Sequence, residues 1–286
     1  MSSPSIQWYP GHIAKAERQL KEQLKRVDVV LEVRDARIPL ASHHPQVADW
    51  IGEKPKVSIL NRMDMIPEST QRQWLEWFKD RGSKTYLTNA KQGKGIKAVK
   101  SAAQAAGSAM NQRRRDRGMR PRPVRAVVIG FPNVGKSALI NRLVGKKVVV
   151  SERRAGVTRE LRWVRISKAI ELLDAPGVIP WKLHNQENAV KLAICEDIGE
   201  ASYDNQLVAA AMVDFMVRLD FGDILQARYG IDPESINGEA YIHTVAEKRY
   251  QGDKERVARQ LLHDFRTGAM GSIPLELPHN RIEFAD

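Results

Sequence analysis

A single cysteine, Cys195, stands in 286 residues. A lone thiol excludes an internal disulfide and any zinc site built on several cysteines, and it fits a reducing compartment. Long apolar runs are also missing: none approaches the ~20 residues that a membrane span needs. The opening stretch MSSPSIQWYPGH has neither the apolar core of a secretory signal nor the Arg-rich amphipathic pattern of an import presequence. A cytoplasmic protein with no membrane partner is therefore expected. There is no internal repeat or low-complexity tract. A chain that is 42% hydrophobic and 28% charged reads as soluble and globular, with room for one large or two modest domains.

Acidic residues are scarce in one part only. Residues 1–185 carry 36 basic and 16 acidic side chains, and residues 186–286 carry 10 and 18, so the net charge of +12 divides into +20 and −8. Clustered basic excess points to a polyanionic partner, most commonly nucleic acid. The densest cluster, NQRRRDRGMRPRPVR over 111–125, holds seven arginines and one aspartate and reads as a linker or exposed edge.

Short apolar runs at 27–33, 56–60, 84–90, 126–130 and 169–173 read as strands. Helical spacing appears at 12–26, 69–82, 95–110 and 137–145, the second helix capped by Ser69 or Thr70 and closed by Gly82. Strands alternating with helices imply a parallel sheet with helices on both faces. After about residue 186 the pattern changes to amphipathic, helix-prone stretches such as NQLVAAAMVDFMVRL and DKERVARQLLHDFRTG. The expected division is an α/β domain over 1–185 and an all-α domain over 186–286.

The segment GFPNVGKS, Gly130 to Ser137, has two glycines followed by Lys-Ser, with a strand before it and a helix after. Glycines let backbone N–H groups turn inward around phosphates, so the run Pro132, Asn133, Val134, Gly135, Lys136, Ser137 and Ala138 is expected to wrap a phosphate chain. Lys136 would reach the β- and γ-phosphates and act in catalysis. The Ser137 hydroxyl would bind Mg²⁺, and the helix N-terminus adds a favourable dipole. Some twenty residues on, Thr158 is placed to join Ser137 on the Mg²⁺. Asp174, in DAPGVIP after an apolar strand, would hold a water of the Mg²⁺ shell, and the Gly177 amide would contact the γ-phosphate.

NRMD, Asn61 to Asp64, follows a strand and so lies where α/β sheets bind ligands. A carboxylate accepts from both guanine N1–H and the N2 amino group, so Asp64 would select guanine over adenine. Asn61 would support O6 or N7 and tie the loop down, and Arg62 would stack its stem on the base where lysine is usual. TNAK supplies the second base loop through Thr88, Asn89 and Ala90, with a backbone amide near Ala90 facing O6. In an ordinary GTPase the phosphate loop comes first. Here both base loops precede it, a permutation that a doubly wound sheet tolerates because its termini can be rejoined.

The stretches WYPGHIAKA, LEVRDARIPL, NRMD, GFPNVGKSALINRL, AGVT, ELLDAPGV and LLHDFRTGAMG together resemble the circularly permuted GTPases of the ribosome biogenesis GTPase A family, the YlqF type. The resemblance covers nearly the whole chain. It implies a P-loop GTPase fold, a three-layer α/β/α sandwich in permuted motif order with a C-terminal all-α domain. It further implies GTP and GDP binding, slow hydrolysis coupled to late maturation of the large ribosomal subunit, and ribosomal RNA as a partner of the helical domain. Arg62, and Ala155 where proline is common, depart from the family pattern. DNA is not expected as a partner, and the chain is expected to be a monomer.

Val178 stands after Asp-x-x-Gly, where many GTPases have a water-orienting glutamine. Two replacements are open. His12, beside a Pro-Gly turn, reads on its own as a structural hydrogen-bonder, but it matches the histidine assigned to catalysis in the family. Asn133 would ligate a K⁺ near the bridging oxygens. A nucleotide-gated RNA scaffold with negligible hydrolysis is the alternative reading. The charge split points to the cationic segments 113–125 and 146–168 as sources of phosphate attraction. A small-subunit GTPase is set aside, because those permuted relatives carry an N-terminal β-barrel and a zinc site.

Overall fold

The computed structural model describes residues 18, 20–146, 162–167, 169–174, 185–199 and 203–278. Its strands are β1 (Val29–Asp35), β2 (Lys56–Asn61), β3 (Thr85–Thr88), β4 (Val124–Ile129), β5 (Arg162–Arg165) and β6 (Ile170–Asp174). They form one sheet in the order β3-β2-β1-β4-β6-β5, parallel except for the antiparallel edge strand β5. All seven residues of β1 are buried, as a parallel strand covered on both faces requires.

Alternate strand residues face opposite layers. On one face Ile96, Val99 and Ala103 of α3 (Ile96–Ala106) and Leu139, Ile140 and Leu143 of α5 (Lys136–Val144) pack against Val29, Leu31, Ala126 and Val128. On the other, Leu20 and Leu24 from a helical segment over 20–24 meet Val30, Val127 and Leu173, joined by Val47 and Ile51 of α1 (Val47–Ile51). Trp74 and Phe78 of α2 (Glu68–Asp80) cover Leu60 on that same side. The result is an α/β/α sandwich, with α4 (Ser108–Asp116) running into the start of β4.

Five helices follow: α6 (Gln186–Ile194), α7 (Asn205–Arg218), α8 (Gly222–Tyr229), α9 (Gly238–Arg249) and α10 (Lys254–Thr267). Asn185, Asp204, Asn237 and Asp253 cap α6, α7, α9 and α10 by accepting from N–H groups of the first turn. Helix α7 is the hub, burying Val208, Met212, Val213 and Met216 against its neighbours. Their apolar cluster is continuous with the α3/α5 face of the sheet. Among the described residues no helix is long and apolar enough to cross a membrane.

The expected strands and the helices read at 69–82, 95–110 and 137–145 appear within a few residues of their read positions, and the first half of the helix read at 12–26 lies outside the described residues. Three readings are corrected. The segment 111–125 is not a linker throughout: helix α4 continues to Asp116, because Gly107 ends α3 and a second helix starts at Ser108. Helix α2 starts at Glu68 after Pro67, with no side-chain cap from Ser69 or Thr70. Strand β5, short helix α1 and helix α8 were not expected at all.

Candidate nucleotide site

All five parallel strands deliver polar residues at their C-terminal edge: Asp35, Asn61, Thr88, the loop after Ile129, and Asp174. Strands β1, β2 and β3 run outward in one direction and β4 lies on the other side of β1, so the strand order reverses between β1 and β4. That is where open α/β sheets bind ligands.

Segment 130–135 turns sharply there. Gly130 has φ +152 and Gly135 φ +98, both outside the range that L side chains favour. A Cβ on Gly130 would lie 2.3 Å from the Val33 carbonyl oxygen, and one on Gly135 would lie 2.2 Å from Asn61 Nδ2. The loop therefore presents backbone, and it leads into the N-terminus of α5 with Lys136, Ser137 and Ala138 in the first turn. Lys136 is buried, its ammonium donating to the carbonyls of Gly130 (3.2 Å) and Phe131 (2.6 Å). Pro132 accepts from the Val134 N–H at 2.8 Å, and Asn133 holds a left-handed φ of 56.

Asn61 joins three loops. Its Oδ1 accepts from Thr88 Oγ1 (3.1 Å) and from the Ala90 N–H (3.0 Å), and its Nδ2 donates to the Val134 carbonyl (2.9 Å). The side chain thus acts as a buried strut between base loops and phosphate loop. The Ala90 N–H itself is engaged by Asn61, so an amide offered to a base oxygen from this loop would be a neighbour of Ala90. Asn89 is buried too and builds its own turn, with Oδ1 accepting from the Gln92 N–H at 2.9 Å.

Arg62 has a left-handed backbone (φ 64). Its guanidinium forks between Asp35 Oδ2 (3.0 Å) and the Asn133 carbonyl (2.5 Å), so its head is directed at the phosphate loop. Asp64, in the short turn Met63–Met65, is exposed, and among the described residues its carboxylate has no hydrogen-bond partner, which leaves it able to accept two donors. Asn133 Nδ2 donates to the carbonyl of Glu196 at 2.7 Å, so the helical part of the chain touches the phosphate loop directly.

Several residues were missed. Asp35 accepts from the Arg37 backbone N–H, Nε and Nη2 at 2.9, 3.0 and 2.7 Å, and Arg37 Nη2 also donates to the Cys195 carbonyl at 3.2 Å. Burial opposes ionisation of Asp35, but Arg37 and Arg62 outweigh it and hold its pKa below the ordinary aspartate value. Asp197 lies beside this group and is fully buried, and burial, reinforced by the Asp35 charge, pushes its pKa well up. Arg142 donates to the carbonyls of Ala90 and Lys91 and fixes the second base loop from α5. Asp35 and Arg37 lie in LEVRDARIPL, one of the stretches that carry the resemblance, but no role was read from them. Of the other expected site residues, Asp174 ends β6 at the same edge. His12, Thr158 and Gly177 lie outside the described residues, as does Val178.

A phosphate loop joined to two base loops on a doubly wound sheet, with the base-reading half first in the chain, defines a permuted P-loop GTPase. Residues 125–229 match a family model described as 50S ribosome-binding GTPase. The chain is 35% identical to ribosome biogenesis GTPase A of Bacillus cereus, across 96% of this chain and 94% of that protein. It is 28% identical to mitochondrial ribosome-associated GTPase 1 of Xenopus tropicalis, across 94% of each. Its fold is similar to the crystal structure of GNP-bound YlqF from T. maritima, with TM-score 0.63 and 25% identity over 93% of this chain and 99% of that one. The chain belongs to the ribosome biogenesis GTPase A family.

Proposed function

We propose that this protein binds GTP and GDP and hydrolyses GTP slowly as a factor in late assembly of the large ribosomal subunit, with turnover stimulated by the precursor particle and its rRNA. The observation that carries this reading is the Asn61 strut, which ties the loop that starts at Asn61, the Thr88–Ala90 loop and the Gly130–Gly135 loop together at one sheet edge. The resemblance of the chain to ribosome-binding GTPases supports the partner. Asp64 selects guanine, Arg62, Thr88, Asn89 and Ala90 shape the base loops, and the Pro132–Ala138 run with Lys136 binds the phosphates.

The backbone cradle, which a Cβ on either glycine would fill, fits a polyphosphate with its divalent ion. Ser137, Thr158 and Asp174 would hold Mg²⁺, and Asn133 Oδ1 a K⁺. Such cations supply positive charge where negative charge develops during phosphoryl transfer. Lys136 adds a fixed charge of its own. His12 acts on the attacking water when the particle brings it near, and Gly177 contacts the γ-phosphate. The division near residue 185 separates the nucleotide domain from a helical domain that reports its state through Glu196. The protein acts as a monomer in the cytoplasm, a compartment that the single buried thiol of Cys195 fits.

GTP hydrolysis measured with and without large-subunit particles, in K⁺ and in Na⁺, tests the reading. Particle-stimulated turnover that is higher in K⁺ and absent in His12→Ala is the expected result. Tight GTP binding with no stimulated turnover would replace the enzyme by a nucleotide-gated scaffold.

A further inference from the structure

We propose that the arginine-rich turn at the end of α4 is a docking site for RNA phosphates, at the end of the sheet opposite the nucleotide loops. The proposal rests on the rRNA partner argued above and names the surface that meets it. Helix α4 and its turn lead into the start of β4, whereas the phosphate loop leaves the end of β4. Arg113, Arg114, Arg115, Arg117 and Arg120 fall within eight residues, and among the described residues none forms an ion pair. Neighbouring Arg122, by contrast, is held bidentately by Asp28 at 2.8 Å on each oxygen. The one carboxylate of the segment, Asp116, accepts from Gln112 at 2.9 Å. A helix C-terminus welcomes a cation or two. Five like charges without counter-ions repel one another, and an anionic partner relieves that repulsion.

The turn is rigid. Asn111 clamps the backbone of Arg122 through both its amide atoms (2.9 and 3.0 Å), and Arg114 Nε donates to the Arg120 carbonyl at 3.0 Å. The guanidinium groups therefore project from a preorganised frame. Beside them lies a groove of about 410 Å³ lined by Gln104, Ser108, Asn111 and Arg115 over Val124 and Ala169. The charges are all arginine, whose planar fork fits phosphate and carboxylate oxygens alike, and one observation favours RNA over an acidic protein. One residue past Val124, Arg125 lies 5.6 Å over the ring of Trp163, an exposed indole able to stack an unpaired base.

The test is the salt dependence of binding to deproteinised large-subunit rRNA. Replacing four arginines (Arg113→Gln, Arg115→Gln, Arg117→Gln, Arg120→Gln), with the Arg114 clamp kept, should make the slope of log K against log[KCl] shallower by roughly 2–3 units, with GDP binding and melting temperature unchanged. If that variant fails to fold, Arg113→Gln with Arg117→Gln alone should lose roughly 1–1.5 units. An unchanged slope in variants of a wild type that does bind overturns the surface and leaves the partner standing. No binding by the wild type removes the partner and the surface together. A variant that binds naked rRNA normally but particles weakly would assign the contact to a ribosomal protein and overturn the proposal.

Discussion

Asp197 sits fully buried where the helical part of the chain meets Arg37, Arg62 and Lys136, and among the described residues neither carboxylate oxygen has a hydrogen-bond partner. Its pKa is raised, by burial first and then by Asp35. The folded state therefore holds its proton more tightly than the unfolded state does. That contribution is fully present below the unfolded pKa of about 4 and is lost as pH rises toward the folded pKa. Asp197→Asn mimics the protonated form and escapes the loss. The variant is expected to melt above wild type at pH 8, by a few degrees for each ~1 kcal/mol of the loss it escapes, with the gap closing toward pH 4; thermal unfolding across that range checks it. Arg62 shows what sequence alone conveys about single residues. Its place in NRMD pointed to the base loop, but its partners Asp35 and Asn133 lie 27 and 71 residues away. Pairings at such separations leave no local pattern to read. The Asn61 bonds to Val134 and the Arg142 bonds to Ala90 and Lys91 were hidden for the same reason.

Secondary elements were readable where one physical signal dominated. The central strands are apolar because both their faces are covered, and α6, α7, α9 and α10 carry Asp or Asn caps, whereas the unexpected α8 has none. In strand β5 Val164 is buried while Trp163 and Arg165 are exposed, so the stretch carries no apolar run from which a strand is read. Helix α4 buries no residue and is held by side-chain bonds, so its charge looked like a linker. Packing between elements was invisible and is severe in places. A Cβ on Gly238, at the start of α9, would lie 2.0 Å from the Ala210 carbonyl oxygen in α7. Neither backbone can retreat cheaply, so Gly238→Ala should destabilise the protein by about 1–3 kcal/mol despite its better helix propensity. Urea unfolding should show a lower midpoint with an unchanged slope.

Across the whole molecule, the segment 270–276 ties the helical part to the nucleotide edge. Met270, Ile273 and Leu275 are buried, and the Leu275 N–H donates to the Arg37 carbonyl at 2.9 Å. Glu276 accepts from the N–H groups of Leu40 (2.7 Å) and Ala41 (3.1 Å), and Ser272 Oγ donates to the Asp64 carbonyl at 2.9 Å. Truncation after Ala269 should expose the amides of 37–41 and 62–65 to hydrogen exchange and weaken GDP binding, while the secondary-structure content of the sheet is kept. Retained protection at both loops would show that the strap is dispensable. The fold class and motif order were legible because each motif is contiguous. This strap was not, since it joins residues 236 apart.

The permuted order has a consequence in time. Synthesis makes Asp64 and the strands around it before Lys136 exists, so on the proposed reading an emerging chain has its base loop with nothing to bind phosphate. The Asn61 strut finds Val134 only after β4 is made, and Leu40 waits longer still for Glu276. On the proposed reading, a fragment that stops short of Lys136 would hold no guanine nucleotide, and the loop at 37–41 would gain its Glu276 contacts only after the helical part is made.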